Sequence, residues 1–299
     1  LDCTGMIVSP GLIDMHVHLR EPGREEDETI ATGTAAAVNG GVTSVACMPN
    51  TEPALDTQAA AEFVRLQAKK AGNCNVFPCG AVTKGRQQQE LAEIGGLVAG
   101  GAVAFTDDGS PVESAELMRR ALEYTKMFDK AVLVHAAISE LTKGWVMAEG
   151  LVSTQLGLRG MPAVAEEIMI YRDIALAELT GGKVHILHVS TAGGTDLIRQ
   201  GRKRAAALKA AGKPSFWISG EACPHHFILT DETLRSFDSN FKMSPPLRTE
   251  ADRQAILDGL KDDTLTVLAT DHAPHAPEKK ERELDQAPNG ILGLETFLP

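Results

Sequence analysis

Eight times along this chain a short run of β-branched and apolar residues gives way to a Gly/Asp/Asn/Pro loop and an Ala/Leu/Glu/Arg-rich stretch of helical composition. That alternation specifies βα units, because strands buried on both faces read as near-continuous apolar runs and parallel neighbours need a crossover. The candidate strands are Leu12–Arg20, Thr43–Met48, Val76–Ala81, Ala102–Thr106, Ala131–His135, Lys183–His188, Ser215–Glu221 and Thr264–Thr270. Helical stretches are expected at Ile30–Asn39 (with Thr29 as N-cap), Thr57–Ala71, Gln87–Gly95, Pro111–Phe128, Ala163–Leu179, Gly193–Ala211 and Thr249–Leu260. Eight such repeats over 299 residues predict an α/β fold of the TIM (β/α)8 barrel type rather than an open doubly wound sheet. A dinucleotide-binding fold needs a Gly-rich turn after its first strand, and here that strand runs into Glu-Pro-Gly-Arg-Glu-Glu.

Composition narrows the function. The 40 acidic residues outnumber the 29 basic ones, for a net charge of −11, so a phosphate backbone is repelled. Aromatic residues are only 4%, which disfavours stacking on single strands, and nucleic acid is not an expected partner. No apolar run reaches the roughly 18 residues of a membrane span, and the first residues lack the features of a signal peptide. Cys3, Cys47, Cys74, Cys79 and Cys223 form no CxxC pair, which fits a reducing cytoplasm. The start at Leu-Asp-Cys-Thr-Gly and the stop after Gly-Leu-Glu-Thr-Phe-Leu-Pro suggest a piece of a longer protein.

Polar residues gather where the candidate strands end: His16, His18 and Arg20, then Asn50, Asp107 and Asp108, His135, His188 and Asp271. In a TIM barrel those ends converge on the rim where chemistry is done. His16 and His18, two apart on a strand, share a face and supply half a metal site; the competing reading is a pair of satisfied core histidines. His185, three before His188, is expected to face the other way and to serve packing. Asp107 is read as turn formation in Asp-Asp-Gly. Asp271 ends an apolar run, and a buried carboxylate there needs a partner such as a cation. Four histidines and two carboxylates exceed one zinc's needs and suit two metals bridged by a carboxylate and a hydroxide, the apparatus of hydrolysis at a carbonyl-type carbon. Arg20 beside such a centre suggests an anchor for a substrate carboxylate or phosphate, the alternative being an ion pair with Glu21, Glu25, Glu26 or Asp27.

At this point the motifs become recognisable. Ser-Pro-Gly-Leu-Ile-Asp-Met-His-Val-His-Leu-Arg-Glu-Pro-Gly (9–23) resembles the metal-binding first strand of cyclic amidohydrolases, and its Leu-Arg-Glu-Pro-Gly end resembles dihydroorotase. Met-Pro-Asn-Thr (48–51), Phe-Thr-Asp-Asp-Gly (105–109), His-Val-Ser-Thr-Ala-Gly (188–193), Pro-His-His (224–226), Phe-Lys-Met-Ser-Pro-Pro-Leu-Arg (241–248), Ala-Thr-Asp-His-Ala-Pro-His (269–275) and Gly-Ile-Leu-Gly-Leu-Glu-Thr (290–296) continue the resemblance in order, to the bacterial class I type. The resemblance implies reversible cyclisation of N-carbamoyl-L-aspartate to L-dihydroorotate in pyrimidine synthesis, with two zinc ions per subunit, or one. It implies that His16, His18, Asp108 and Asp271 hold one zinc and that Asp108 bridges to another held by His135 and His188. Asp271 would be general base and acid. Arg20, Asn50 and His275 would hold the substrate carboxylate, with His18 also in reach of substrate, and Asn289 and Gly290 would line the ring through their backbone. A homodimer and an association with aspartate transcarbamoylase are implied in the same way.

Asp108 stands where hydantoinase, dihydropyrimidinase and allantoinase relatives bridge their metals with a carbamylated lysine, which favours the dihydroorotase reading over theirs. Ser244 stands where family members usually carry Asn, which puts one substrate hydrogen bond in question. Ala136, Ala137 and Ile138 follow His135 where an acidic pair is usual. A non-catalytic scaffold subunit is the rival from another class, but degenerate members lose metal ligands and all six are present here. The family's flanking β-sandwich would survive only as a strand remnant in residues 1–10, with the barrel over 11–299 cut in its last helix and apolar surface exposed near 285–299.

Overall fold

The computed structural model describes residues 2–298; residues 1 and 299, the outer limits of the two expected segments, lie outside the described residues. Eight parallel strands form one sheet in sequential order. They are β1 (Leu12–Val17), β2 (Val42–Cys47), β3 (Asn75–Gly80), β4 (Ala104–Phe105), β5 (Val132–Val134), β6 (Lys183–Ile186), β7 (Trp217–Ala222) and β8 (Val267–Leu268). A parallel bridge between Val17 and His272, with His18 N–H donating to His272 O at 2.9 Å, joins the last strand region to the first. The result is a TIM barrel. All eight expected strands are present, most of them shorter at the C-terminal end, where residues such as His18, Arg20, His135 and His188 leave the ladder to turn onto the rim.

The βα loops end in side chains that cap the next helix. Thr29 accepts from Thr32 N at 3.1 Å and opens α1 (Ile30–Asn39). Thr57 caps α2 (Gln58–Ala71), which closes on left-handed Gly72. After α3 (Ile94–Gly100), Ser114 caps α4 (Ala115–Lys126). α5 (Val164–Thr180) follows, then Thr191 caps α6 (Ala192–Ala210) and Thr249 caps α7 (Glu250–Lys261). Each such cap satisfies an amide that the helix start leaves open. The helix expected at Gln87–Gly95 is displaced to α3. Residues 84–86 form a 3-10 turn, and Arg86 uses its guanidinium to hold Asp108 O at 2.7 Å and Asp107 O at 3.2 Å.

The main apolar core lies between sheet and helices, where Phe105, Val132, Val184, Ile186 and Ile218 meet Leu122, Ile170 and Ile174. A smaller cluster of Met48, Cys79, Leu133 and Leu187 faces the other side of the strands. Leu133 pairs in register with His185, and His185 with Ser219. His185 therefore points into the barrel, contrary to the outward orientation expected from its spacing to His188. The reason is local: His188 has φ +32°, so the alternation breaks before it and turns its ring back to the mouth. Asp107 is more than a turn residue, since it accepts from Val82 N at 2.9 Å and Thr83 N at 3.1 Å and ties β4 to the loop after β3. Residues 2–11 form no strand, so no sandwich is seen there, and Met6, Ile7 and Val8 are exposed. Near the other end, Leu294 is buried against the α1 side in a 3-10 turn (Leu294–Thr296), while Leu292 and Leu298 are exposed. No described helix is long and apolar enough to cross a membrane.

Asp173 in α5 offers a test of this packing. It is fully buried; Arg172 Nε donates to its Oδ1 at 2.8 Å, and its Oδ2 has no partner. Burial pushes its carboxyl up to about 6 from near 3.8, against the pull of Arg172. The native state thus binds more protons than the unfolded state between those values, so stability falls as pH rises through that window. Asp173→Asn keeps the shape and removes the buried charge. It is expected to add about 1–2 kcal/mol at neutral pH and to flatten the decline between about pH 4 and 6, read from urea midpoints.

Candidate active site

The six expected ligand side chains converge at the C-terminal mouth of the barrel, all at most 7% exposed. His16 Nε2 lies 3.5 Å from Asp108 Oδ2 and 3.3 Å from Asp271 Oδ1. His18 Nε2 lies 3.4 Å and 3.0 Å from the same two carboxylate oxygens. On the other side of Asp108, His135 Nδ1 and His188 Nε2 each lie 3.4 Å from Oδ1, and those two nitrogens are 2.8 Å apart. Asp108 therefore stands between two pairs of imidazoles. Asp271 has φ +47° and Arg20 φ +60°, left-handed values that non-glycine residues adopt at a cost and that cluster at functional sites.

The far nitrogens of the first pair are fixed. His16 Nδ1 is 2.7 Å from Glu221 Oε1 and His18 Nδ1 is 2.8 Å from Asn50 Oδ1. Both acceptors hold the proton on Nδ1 and leave the Nε2 lone pair facing the cluster. Burial alone would depress His16, but Asp271, Asp108 and Glu221 outweigh it, so this ring nitrogen attracts positive charge, a proton or a cation in its place. Burial likewise opposes the ionisation of Asp108, yet the charge of His16 and the ring nitrogens of His135, His16 and His188 close by hold its carboxyl well below the usual range. Even so, His16 Nε2, Asp108 Oδ1 and His188 Nδ1 are buried without a hydrogen-bond partner. Lone pairs crowded on one another with too few protons are what a cation resolves, and two overlapping triads, His16–His18–Asp271 and His16–Asp108–His188, have metal-binding geometry. The donor set fits a divalent metal of the zinc type.

A cleft of about 230 Å3 opens over this cluster. It is lined by His18, Asn50, Asp108, His135, His188 and Asp271 together with Arg20, Ser244, His275 and Asn289. Arg20 makes no ion pair with the acidic run that follows it. Asp27 pairs with Arg24 at 2.6 Å and Lys279 at 2.8 Å, Glu26 pairs with Lys279, and Glu21 accepts from Ile30 N. Burial, and then Arg24, push Arg20 down to about 10, so it remains charged at neutral pH. Its Nε donates to Pro274 O at 3.1 Å, and with no carboxylate partner the rest of the guanidinium keeps donors free for an anion. Burial and Arg20 push His275 down to about 4, so its ring is neutral, with Nε2 2.8 Å from Asn289 O.

The dihydro-orotase-like family matches residues 5–193. The chain belongs to that family. It is 53% identical over 296 residues to a dihydroorotase of Pelotomaculum thermopropionicum, covering 99% of this chain and 67% of the relative. It is 52% identical over 298 residues to a dihydroorotase of Endomicrobium trichonymphae, covering 100% of this chain and 68% of that protein. The chain thus spans about two thirds of the length of these relatives. Its fold is similar to that of an L-hydantoinase (dihydropyrimidinase) from Arthrobacter aurescens, with a TM-score of 0.78 at 22% identity over 96% of this chain and 64% of that one.

The backbone of the loop before Ile291 is largely engaged within the protein. Gly290 does not line the cleft. Its N–H donates to Lys242 O at 2.9 Å and its O accepts from Lys280 Nζ at 2.9 Å, so neither is free for a ring. The carbonyl of Asn289 is taken by His275, and it is the side-chain Oδ1 of Asn289 that is buried without a partner. Ala137 packs with Met161, Ala165 and Trp145, an apolar contact in place of an acidic rim. Sequence reasoning missed Glu221, which takes His16 Nδ1, His185 Nε2 at 3.1 Å and His188 N–H at 2.9 Å. The signal was available: a carboxylate in the apolar strand Trp-Ile-Ser-Gly-Glu-Ala demands a partner for the same reason as Asp271.

Proposed function

We propose that this chain is the catalytic barrel of a dihydroorotase, interconverting N-carbamoyl-L-aspartate and L-dihydroorotate in pyrimidine biosynthesis. The observation that carries the reading is a buried Arg20 without a carboxylate partner in the same cleft as five of the six metal-type ligands, His16 lying beneath them. A ring that bears a carboxylate beside a scissile amide matches that pairing. His16, His18 and Asp271 would hold one zinc ion and His135 and His188 a second, with Asp108 between them. Zinc there would supply Lewis acidity toward the scissile carbonyl and the attacking water.

The protein's own groups do the rest. Arg20 binds the ring carboxylate, helped by Asn50 and, once its Nε2–H leaves Asn289 O, by His275, and so fixes the ring over the cluster. Asp271 Oδ1 takes a proton from the attacking water and returns it to the ring nitrogen as the amide bond breaks; cyclisation runs the same transfer backwards. Ser244 and the side chain of Asn289 offer further polar contacts to the ring. No lysine lines the cleft among the described residues, so nothing here favours a carbamylated-lysine enzyme.

The deciding assay offers L-dihydroorotate, dihydrouracil and hydantoin to the zinc-loaded protein in parallel. Turnover of dihydroorotate alone supports the proposal, and turnover of only the uncharged rings overturns it. Arg20→Met is expected to raise KM for dihydroorotate by about 10- to 100-fold, the worth of a charged hydrogen bond of roughly 1.5–3 kcal/mol, with a smaller change in kcat. An unchanged KM would remove Arg20 from the role.

A further inference from the structure

At the end of β7 lies a second group of metal-type donors, Cys223, His225 and His226, which shares no residue with the rim cluster. One donor atom from each lies within 4.8 Å of the other two. The three residues are 0%, 6% and 3% exposed. The short helix Pro224–Ile228, in which His226 N–H donates to Cys223 O at 2.9 Å, folds them back on one another. The two imidazoles meet edge to face with centroids 4.3 Å apart.

Two nitrogens in this group, His225 Nε2 and His226 Nδ1, are buried with no hydrogen-bond partner. Each orphan costs about 1–3 kcal/mol, and two side by side in a packed interior call for a cause. His226 Nε2 donates to Pro245 O at 3.0 Å, which leaves Nδ1 with its lone pair free. A backbone carbonyl on the far ring nitrogen is the arrangement that orients metal-binding imidazoles. Burial holds His225 near about 4, and burial with His225 beside it holds His226 well below the ordinary value, so both rings are neutral and ready to bind a cation. Burial also keeps the Cys223 thiol protonated in the absence of a cation.

We propose that Cys223, His225 and His226 form a separate site for a zinc-type divalent cation, with one sulfur and two nitrogen ligands. On binding, the Cys223 S–H releases its proton to solvent, a sulfur–metal bond forms and no oxidation state changes. Tetrahedral bonds of about 2.0–2.3 Å place ligand atoms roughly 3.5 Å apart, so the rings turn inward as the cation enters. Three protein ligands leave a fourth position for water.

Sulfur makes the site observable on its own, because the rim cluster offers only nitrogen and oxygen. The protein is loaded with Co2+, and its near-ultraviolet spectrum is read for sulfur-to-cobalt charge transfer. The band is expected in the wild type, lost in Cys223→Ser, weakened in His226→Gln, and retained when Cys3, Cys47, Cys74 and Cys79 are replaced. Zinc content is expected to fall by one equivalent per chain in Cys223→Ser with the rim metal kept. A folded, cobalt-loaded wild type without the band overturns the proposal, as does a band that survives Cys223→Ser. The wild-type spectrum decides even if the variants fail to fold.

Discussion

Asp271→Asn is expected to lower kcat by about 10^3- to 10^4-fold while the chain stays folded. The asparagine matches the aspartate in shape and tolerates the left-handed backbone at φ +47°, where alanine would add strain. What it removes is the proton acceptor. The carboxylate is buried, and burial opposes its charge, yet His16, His18 and His188 hold its pKa below the ordinary carboxyl value. It is thus ionised at neutral pH and ready to take a proton at Oδ1, 3.0 Å from His18 Nε2. An amide in that place offers N–H or a weakly basic oxygen and cannot carry the proton to a leaving nitrogen. Metal content measured on the same sample separates this loss from loss of a ligand. If Asp271→Asn keeps both its metal and more than about a tenth of the wild-type kcat, the proton travels by another group.

The barrel was legible because its signal is repeated and local. Eight apolar runs with helical stretches between them leave little choice of topology, and the Thr and Ser caps mark most helix starts. The convergence of His16, His18, Asp108, His135, His188 and Asp271 was legible because each stands in or just after an apolar strand, where a polar side chain calls for a partner. What escaped was set by geometry that no spacing encodes. The left-handed φ of His188, Arg20 and Asp271 cannot be inferred from non-glycine residues, yet it decides which rings and charges reach the mouth. His185 was assigned to the wrong face for that reason, since regular alternation from His188 is the wrong frame once the strand has ended at Ile186. The hydrogen-bond partners of Gly290 and Asn289 were hidden in another way. They are Lys242, Lys280 and His275, distant in the chain or bound through backbone atoms that carry no sequence signal.

Glu221→Ala is expected to be the most damaging substitution for stability in the barrel, at about 3–5 kcal/mol, because it leaves buried partners without their charge. Glu221 is fully buried and accepts from three directions, His16 Nδ1 at 2.7 Å, His185 Nε2 at 3.1 Å and His188 N–H at 2.9 Å. Burial opposes its ionisation, but His16 and the hydrogen bonds from His16 and His185 hold its carboxyl far below the usual range. A depressed carboxyl contributes its full stability at neutral pH, and that contribution fades only as pH falls through the acid range. Glu221 also sets the tautomer of His16 and anchors the backbone that presents His188, so one residue supports both sides of the cluster. Removing such a partner of a ligand typically weakens metal binding by about 10- to 100-fold. Glu221→Gln is the sharper probe. Its amide oxygen can still accept from His16 Nδ1, so the fold should suffer less while metal affinity still drops. Urea melts and metal titrations of the two variants separate the effects. Equal metal affinity in Glu221→Gln and wild type would confine Glu221 to packing and leave the orientation of His16 to the strand alone.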